Sequence, residues 1–410
     1  MNIPKRRHKL LIGAIALTLV AAACGGDDSG DDDTTTTAAA EVTTTVAGGS
    51  ETTTATDETT EAPGTTAGDT STTAAEGGET PSSVVYEDLS GEINGSGATF
   101  PKVYYDESIA EFAGVAPDVT VNYAGGGSGK GRTDLQEQVV DFAGTDSTVK
   151  PEDVSKFKGG EFVYVPTVIA PITVSYNLSG VDELKLSPAT IAKIFQTEIT
   201  TWNDPAIAAE NEGVDLPSDP ISVVHRADGS GTTDNFAKFL EAAVGPEGTA
   251  EAGVWTLGTG SELEWPSTTL AGDGNSGVAQ LITQTPGSIG YVDLGDAISN
   301  NLVFASVQNK AGEYLQPTPE GTSAAAENVE VKDDLTFFLG WADGAESYPI
   351  AAQTWIIAYT DTPADKAETL RGFLTYLVTD AQELTGELGY APLPADLQAK
   401  ALENIAKIGA

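Results

Sequence analysis

Residues 225–236 read His225-Arg226-Ala227-Asp228-Gly229-Ser230-Gly231-Thr232-Thr233-Asp234-Asn235-Phe236, and these types at this spacing suit the holding of an oxyanion. The apolar run Ile221-Ser222-Val223-Val224 before them reads as a buried strand, and Phe236, Phe239 and Leu240 recur after them at helical spacing. A strand, a glycine turn and a helix start aim backbone N–H groups and the positive end of a helix dipole at one point. Ser230 and Thr232 add hydroxyls, and Arg226 adds a planar cation that suits a tetrahedral oxyanion. Asp228, two residues on, is close enough to brace the guanidinium. A lone turn of this kind is equally an ordinary surface turn with caps. Two further stretches repeat the design: Gly97-Ala98-Thr99-Phe100-Pro101 and Gly125-Gly126-Gly127-Ser128-Gly129-Lys130-Gly131. One anion cage, with donors from residues 97–100, 128–131 and 230–232, explains all three.

Other chemistries fit less well. A nucleotide P-loop needs a glycine with four residues between it and its Gly-Lys pair, and a Ser or Thr after the lysine. Ala124 and Gly131 occupy those positions. A serine hydrolase could use Ser230 or Ser276, but a nucleophilic serine needs a positioned base. The chain has two histidines, and His8 falls in the N-terminal leader. That leaves His225, whose basicity the neighbouring Arg226 would depress. No cysteine or histidine cluster suits zinc, and the acidic residues show no calcium-loop spacing. No metal or cofactor is expected.

The elements that must position the cage alternate as strand, glycine turn and helix. Glu92–Gly97 and Val119–Tyr123 read as strands, each followed by a helix, the first opened by Pro101 and the second running through Leu135 and Val139. Val140–Gly144 is strand-like and delivers Asp146 to a loop. Phe162–Val174 is nearly all apolar, broken by Pro166 and Pro171, and is read as a strand and then a crossover. Ser187-Pro188 opens a helix with Ile191, Ile194 and Phe195 on one face, and Gly272–Gly277 is a turn before another. Ser288–Val292 is a strand, Ala352–Tyr359 a strand returning to the first sheet, and Thr362-Pro363 caps a helix with Leu370, Phe373, Leu374 and Leu377 on its core face. Pro394–Ile408 forms a last helix. Alternation of this kind predicts an α/β fold with an open, mainly parallel sheet, whose ligands bind beyond the carboxyl ends of the strands. Two crossings, near residues 166–172 and 344–352, divide it into lobe I (86–168 and 350–410) and lobe II (169–349).

The N-terminus reads as a leader. Lys5, Arg6, Arg7 and Lys9 precede a short apolar core ending at Ala21-Ala22-Ala23-Cys24-Gly25, which predicts a lipoprotein signal over 1–23 and a lipid on Cys24, the single cysteine. Residues 24–85 are rich in Thr, Ala, Gly, Asp and Glu and are expected to be a disordered tether, spanning on the order of 40–45 Å as a flexible coil. With 61 acidic residues against 20 basic ones, the formal charge is −41. That argues against nucleic acid and against electrostatic attachment to an anionic membrane. An anion site here must work through local hydrogen bonds.

The stretches Gly97–Pro101, Asp141-Phe142-Ala143-Gly144-Thr145-Asp146 and Arg226–Thr232 together resemble the phosphate-binding protein family of bacterial high-affinity phosphate ABC transporters. Trp202-Asn203-Asp204-Pro205, Trp265-Pro266 and Gly287–Val292 are further landmarks, and the likeness covers roughly residues 90–405. The resemblance implies a type II periplasmic-binding-protein fold, two α/β lobes with a two-strand hinge closing a central ligand cleft on dehydrated phosphate. By position it implies that Thr99 and Phe100 donate from one helix start, Phe100 through its backbone, and Ser128 from a second. Asp146 would accept a proton from the ligand, Arg226 would pair with it, Asp228 would orient Arg226, and Ser230, Gly231 and Thr232 would close the cage. It further implies a monomeric, non-enzymatic lipoprotein on the extracytoplasmic face of the cell membrane, with an ABC permease and ATPase as partners. Lys130 and His225 depart from the family pattern, and could add a cation or sit at the cleft rim. A phosphate-ester hydrolase on the same scaffold, or a surface phosphate sensor or adhesin, is the alternative.

Overall fold

The computed structural model describes residues 84–327 and 329–410. The leader expected at 1–23, Cys24 and all of the expected tether except Val84 and Val85 lie outside the described residues. A 3-10 turn at Tyr86–Asp88 leads into β1 (Gly91–Gly97), α1 (Lys102–Val115), β2 (Val119–Ala124), α2 (Gly127–Gln136) and β3 (Phe142–Thr145). Then come β4 (Phe162–Asn177), β5 (Lys185–Leu186), α3 (Pro188–Phe195) and α4 (Pro205–Glu210). They are followed by β6 (Ser222–Arg226), α5 (Gly231–Val244), β7 (Leu270–Gly272), α6 (Gly274–Gln284), β8 (Ser288–Asp293) and α7 (Leu294–Ser299). The order ends with β9 (Val303–Phe304), β10 (Ser306–Gln308), β11 (Tyr314–Leu315), α8 (Pro319–Ala326), β12 (Ala351–Tyr359), α9 (Ala364–Val378) and α10 (Ala395–Ile405).

Local chemistry sets several helix starts. Ser187, Asp204, Ser230, Asp293 and Thr318 each accept a first-turn N–H with the side chain. The Trp-Asn-Asp-Pro stretch is structural: Trp202 is fully buried with its indole N–H on Gly287 O, and Asp204 caps α4. The second helix stops at Gln136, short of the expected Val139, because Gln138 turns to a positive φ and Val139 faces solvent.

The main sheet runs β2-β1-β3-β12-β4-β8-β6-β7, with β9 added on β4. A parallel trio sits towards each end: β1 with β2 and β3, and β6 with β7 and β8. The centre departs from the expected mainly parallel sheet, since β12 runs antiparallel to both β3 and β4, and β4 antiparallel to β8. The expected crossover after a short strand is also replaced. Phe162–Asn177 is one strand of 16 residues, buried except at its ends. Its first part pairs with β12 up to Pro171, and its second part pairs with β8 from Ile172. Pro171 therefore stands where one partner gives way to the next. Pro166 lies opposite Trp355, where the register slips. A bulge and a changeover are places where a strand tolerates a missing N–H.

Every glycine turn singled out in the sequence leaves the carboxyl end of a strand: β1 at Gly97, β2 at Ala124, β6 at Arg226 and β7 at Gly272. Backbone bonds tie these ends together, from Ala98 N to Gly144 O (2.9 Å), Gly129 N to Gly229 O (2.8 Å) and Ala227 N to Gly272 O (2.9 Å). The α/β architecture thus delivers the turns to one place.

Candidate functional site

Arg226 closes β6 and is 4% exposed. Its Nε donates to Asp228 Oδ1 at 2.8 Å and its Nη2 to Asp228 Oδ2 at 2.5 Å, a forked pair that fixes the guanidinium plane. Burial alone would raise the Asp228 carboxyl, but the bond and charge of Arg226 bring it below its ordinary value. The N–H of Gly274 also donates to Asp228. On the other edge of the guanidinium, Nη1 donates to Asn275 Oδ1 (3.0 Å) and Thr232 Oγ1 (3.3 Å).

Ser230 caps α5, its Oγ accepting from Thr233 N at 3.1 Å. Gly231 and Thr232 follow in the first turn, where N–H groups have no carbonyl behind them in the helix. A Cβ on Gly231 would come within 2.6 Å of both Ser128 Oγ and Asp146 Cβ, so the α5 start lies hard against the other two segments. Ser128, in the first turn of α2, accepts from Asp146 N (3.1 Å) and stands 3.3 Å from Asp146 Oδ2.

Asp146 is 2% exposed, and its Oδ1 has no hydrogen-bond partner among the described residues. Burial pushes its carboxyl up to about 7, against the opposing pull of Thr354, Arg226, Ser128 and Arg132. Thr99 enters from the β1 turn, where its Oγ1 accepts from Asn275 N at 3.1 Å. Phe100 buries its ring against Tyr390 and gives its carbonyl to Tyr390 OH (2.7 Å), leaving only its backbone at the approach to α1.

The structure therefore brings Thr99, Ser128, Asp146, Arg226, Asp228, Ser230, Gly231 and Thr232 together, with Phe100 adjoining through its backbone. Two residues fall elsewhere. Lys130 is half exposed and pairs with Asp134. His225 points to the opposite side of β6, stacked on Trp265, with its Nδ1 donating to Arg226 O and its Nε2 beside Thr269 Oγ1. Burial lowers its basicity. The histidine on which a hydrolase would depend is thus engaged away from Ser230.

Three participants were not assigned to the site from the sequence. Asn275 links Thr99, Thr232, Arg226 and Asp293, the last through Nδ2 to Oδ2 at 2.8 Å. Tyr291 OH meets the Arg226 N–H (3.4 Å) and Thr233 Oγ1 (2.6 Å). Arg132 donates to Thr145 and Ser147, on either side of Asp146. The asparagine after Gly272-Asp273-Gly274 could have marked a fourth polar helix start. Chemically, the arrangement offers donors on several sides and one buried acceptor, which suits a tetrahedral oxyanion that carries a proton.

Residues 59–381 match the model of a PBP superfamily domain, beginning inside the stretch expected to be a tether. The chain is 33% identical over 314 residues to the phosphate-binding protein PstS of Xylella fastidiosa, covering 75% of this chain and 82% of the relative. It is 34% identical over 324 residues to the phosphate-binding protein PstS 2 of Mycobacterium tuberculosis, covering 75% and 85%. The structure of a phosphate-binding protein from Stenotrophomonas maltophilia superposes with a TM-score of 0.58 at 23% identity, covering 76% of this chain and 93% of that one, a likeness of fold. The chain adopts the periplasmic-binding-protein fold and belongs to the phosphate-binding protein family of that superfamily.

Proposed function

We propose that the protein captures inorganic phosphate in this cage and delivers it to the permease and ATPase of an ABC importer. In this reading it is an extracytoplasmic lipoprotein held to the cell membrane through Cys24. The observation that carries the reading is Asp146 Oδ1, a buried carboxylate oxygen without a partner beside donors from Arg226 and two helix starts. A carboxylate inside an anion cage repels its ligand unless the ligand brings a proton to it. Monobasic and dibasic phosphate both bring one, and sulfate brings none. The relatives' names, the fold and the convergence of the family's site stretches support the same ligand.

The magnitudes are compatible with tight binding. Hydrogen bonds to a charged group contribute about 1.5–3 kcal/mol each, so half a dozen exceed the roughly 8 kcal/mol of a micromolar complex. The surplus offsets desolvation of the anion and closure of the cleft. Titration calorimetry on ligand-stripped protein tests the reading. At pH 8, where the Asp146 carboxyl has lost its proton, the wild type is expected to bind phosphate and to give no heat with sulfate. Asp146→Asn removes the charge and supplies a donor, so sulfate binding should appear or the preference narrow at least tenfold. Unchanged affinities for both anions would place Asp146 outside the site.

A further inference from the structure

Beside the cage lies a cavity of about 710 Å³ whose wall includes the Gly129–Gly229 contact. Gly129, Gly229 and Asp234 belong to its wall, whereas Ser128, Asp146, Arg226 and Thr232 do not. Five cations line it: Lys130, Arg132, Lys150, Lys156 and Lys238. In a chain of net charge −41 with 20 basic residues, such a concentration is out of proportion to the composition. Carboxylates neutralise three of them, as Lys130–Asp134, Lys156–Asp153 and Lys238–Asp234. Glu262 adds one more acidic group to the wall.

Arg132 and Lys150 differ from the other three. Neither has a carboxylate within ion-pair distance among the described residues. Arg132 is part-buried and hydrogen-bonded through Nη1 to the hydroxyls of Thr145 (2.9 Å) and Ser147 (2.6 Å). Hydroxyls satisfy a donor but do not neutralise a guanidinium, and burial lowers the stability of its charged form. A sheltered cation with acidic groups nearby but no carboxylate in direct contact, facing a polar cavity with Lys150 on its rim, keeps donor capacity for an anion.

We propose that this cavity is a second anion subsite, for phosphoryl groups, in which Arg132, Lys150 and Lys238 are the principal contacts. Lys238 can turn from Asp234 to the ligand because its side chain is about one-third exposed. The subsite borders the cage, because Arg132 also holds Thr145 and Ser147 on either side of Asp146, so the test below leaves Arg132 unchanged and alters the two lysines. Its volume accommodates more than one phosphoryl group, so the shared chemistry has two sources, free orthophosphate and a condensed phosphate chain.

The test is a titration of the isotope-labelled full chain, followed through the Arg132 Nε–Hε and Gly260 N–H resonances. Orthophosphate and tripolyphosphate are added separately beyond one equivalent of phosphate, with sodium chloride as the ionic-strength control. Both resonances are expected to shift along a saturating curve with a phosphoryl anion and not with chloride. A tripolyphosphate affinity ten or more times that of orthophosphate identifies the condensed chain as the source, and similar affinities identify orthophosphate. The double variant Lys150→Gln/Lys238→Gln, chosen because both side chains reach solvent, should weaken this event at least fivefold in protein that remains folded. It should leave the first equivalent of phosphate untouched. Shifts that follow ionic strength alone, or a double variant that titrates like the wild type, would overturn the proposal. Loss of the first equivalent without loss of the second event would instead count against the cage.

Discussion

In the phosphate-free protein the Asp146 carboxyl keeps its proton up to about pH 7, whereas an unfolded chain releases it near its ordinary value of 3.8. Between those limits the folded state holds a proton that the unfolded state has lost, so this group makes stability fall as pH rises. Each tenfold change in proton affinity corresponds to about 1.4 kcal/mol, so the whole effect is on the order of a few kcal/mol. Asp293 and Asp296, raised by burial, act in the same direction, so the contribution of Asp146 is read as a difference. Without phosphate, wild-type stability to urea should decline between pH 4.5 and 8 more steeply than that of Asp146→Asn. Parallel curves would show that the carboxyl titrates normally. At this scale the sequence was legible where chemistry is local: the Arg226–Asp228 brace needs two residues on one turn. Asn275 and Tyr291 were not, because their roles depend on strands β6, β7 and β8 meeting side by side, and no spacing along the chain records that.

Among the elements, the meeting of α2 with the β6–α5 turn is the tightest. Gly127 has φ +85°, and a Cβ there would fall on Asp228 Oδ2, which braces Arg226. Alanine at this position is therefore strained in its backbone and displaces the brace. Gly127→Ala should weaken phosphate binding at least tenfold in calorimetry, while Gly114→Ala, with open space around its added methyl, leaves it unchanged. Equal behaviour of the two would mean that the segments do not need this approach. The glycine-rich turns were readable as helix starts because glycine, serine and threonine clusters do that locally. The length of β4 was not. Pro166 and Pro171 look like breaks in a strand read alone, and only the slip against Trp355 and the change of partner at Ile172 show how each is accommodated.

For the whole molecule, the sheet order predicts how the two parallel trios can move. Between them run only the antiparallel central strands, with β4 shared by both sides. Two lobes turning about such a centre would close on the ligand as a hinge. Small-angle scattering from the chain without residues 1–83 should show a smaller radius of gyration at saturating phosphate. A radius that stays constant would remove the hinge. Among the described residues no helix is long and apolar enough to cross a membrane; the proposed attachment is read from the N-terminal leader in the sequence alone. The sheet order also dictates a sequence of events in synthesis. The edge of β3 and the first half of β4 are both completed by residues 351–359, which leave the ribosome some 200 residues later. Until then the nascent chain carries two unpaired strand edges that would pair with other chains. Closure of the main sheet therefore waits on β12, with α9 and α10 still to follow, and a chain cut short before Ala351 is expected to keep an open sheet rather than form a smaller stable protein.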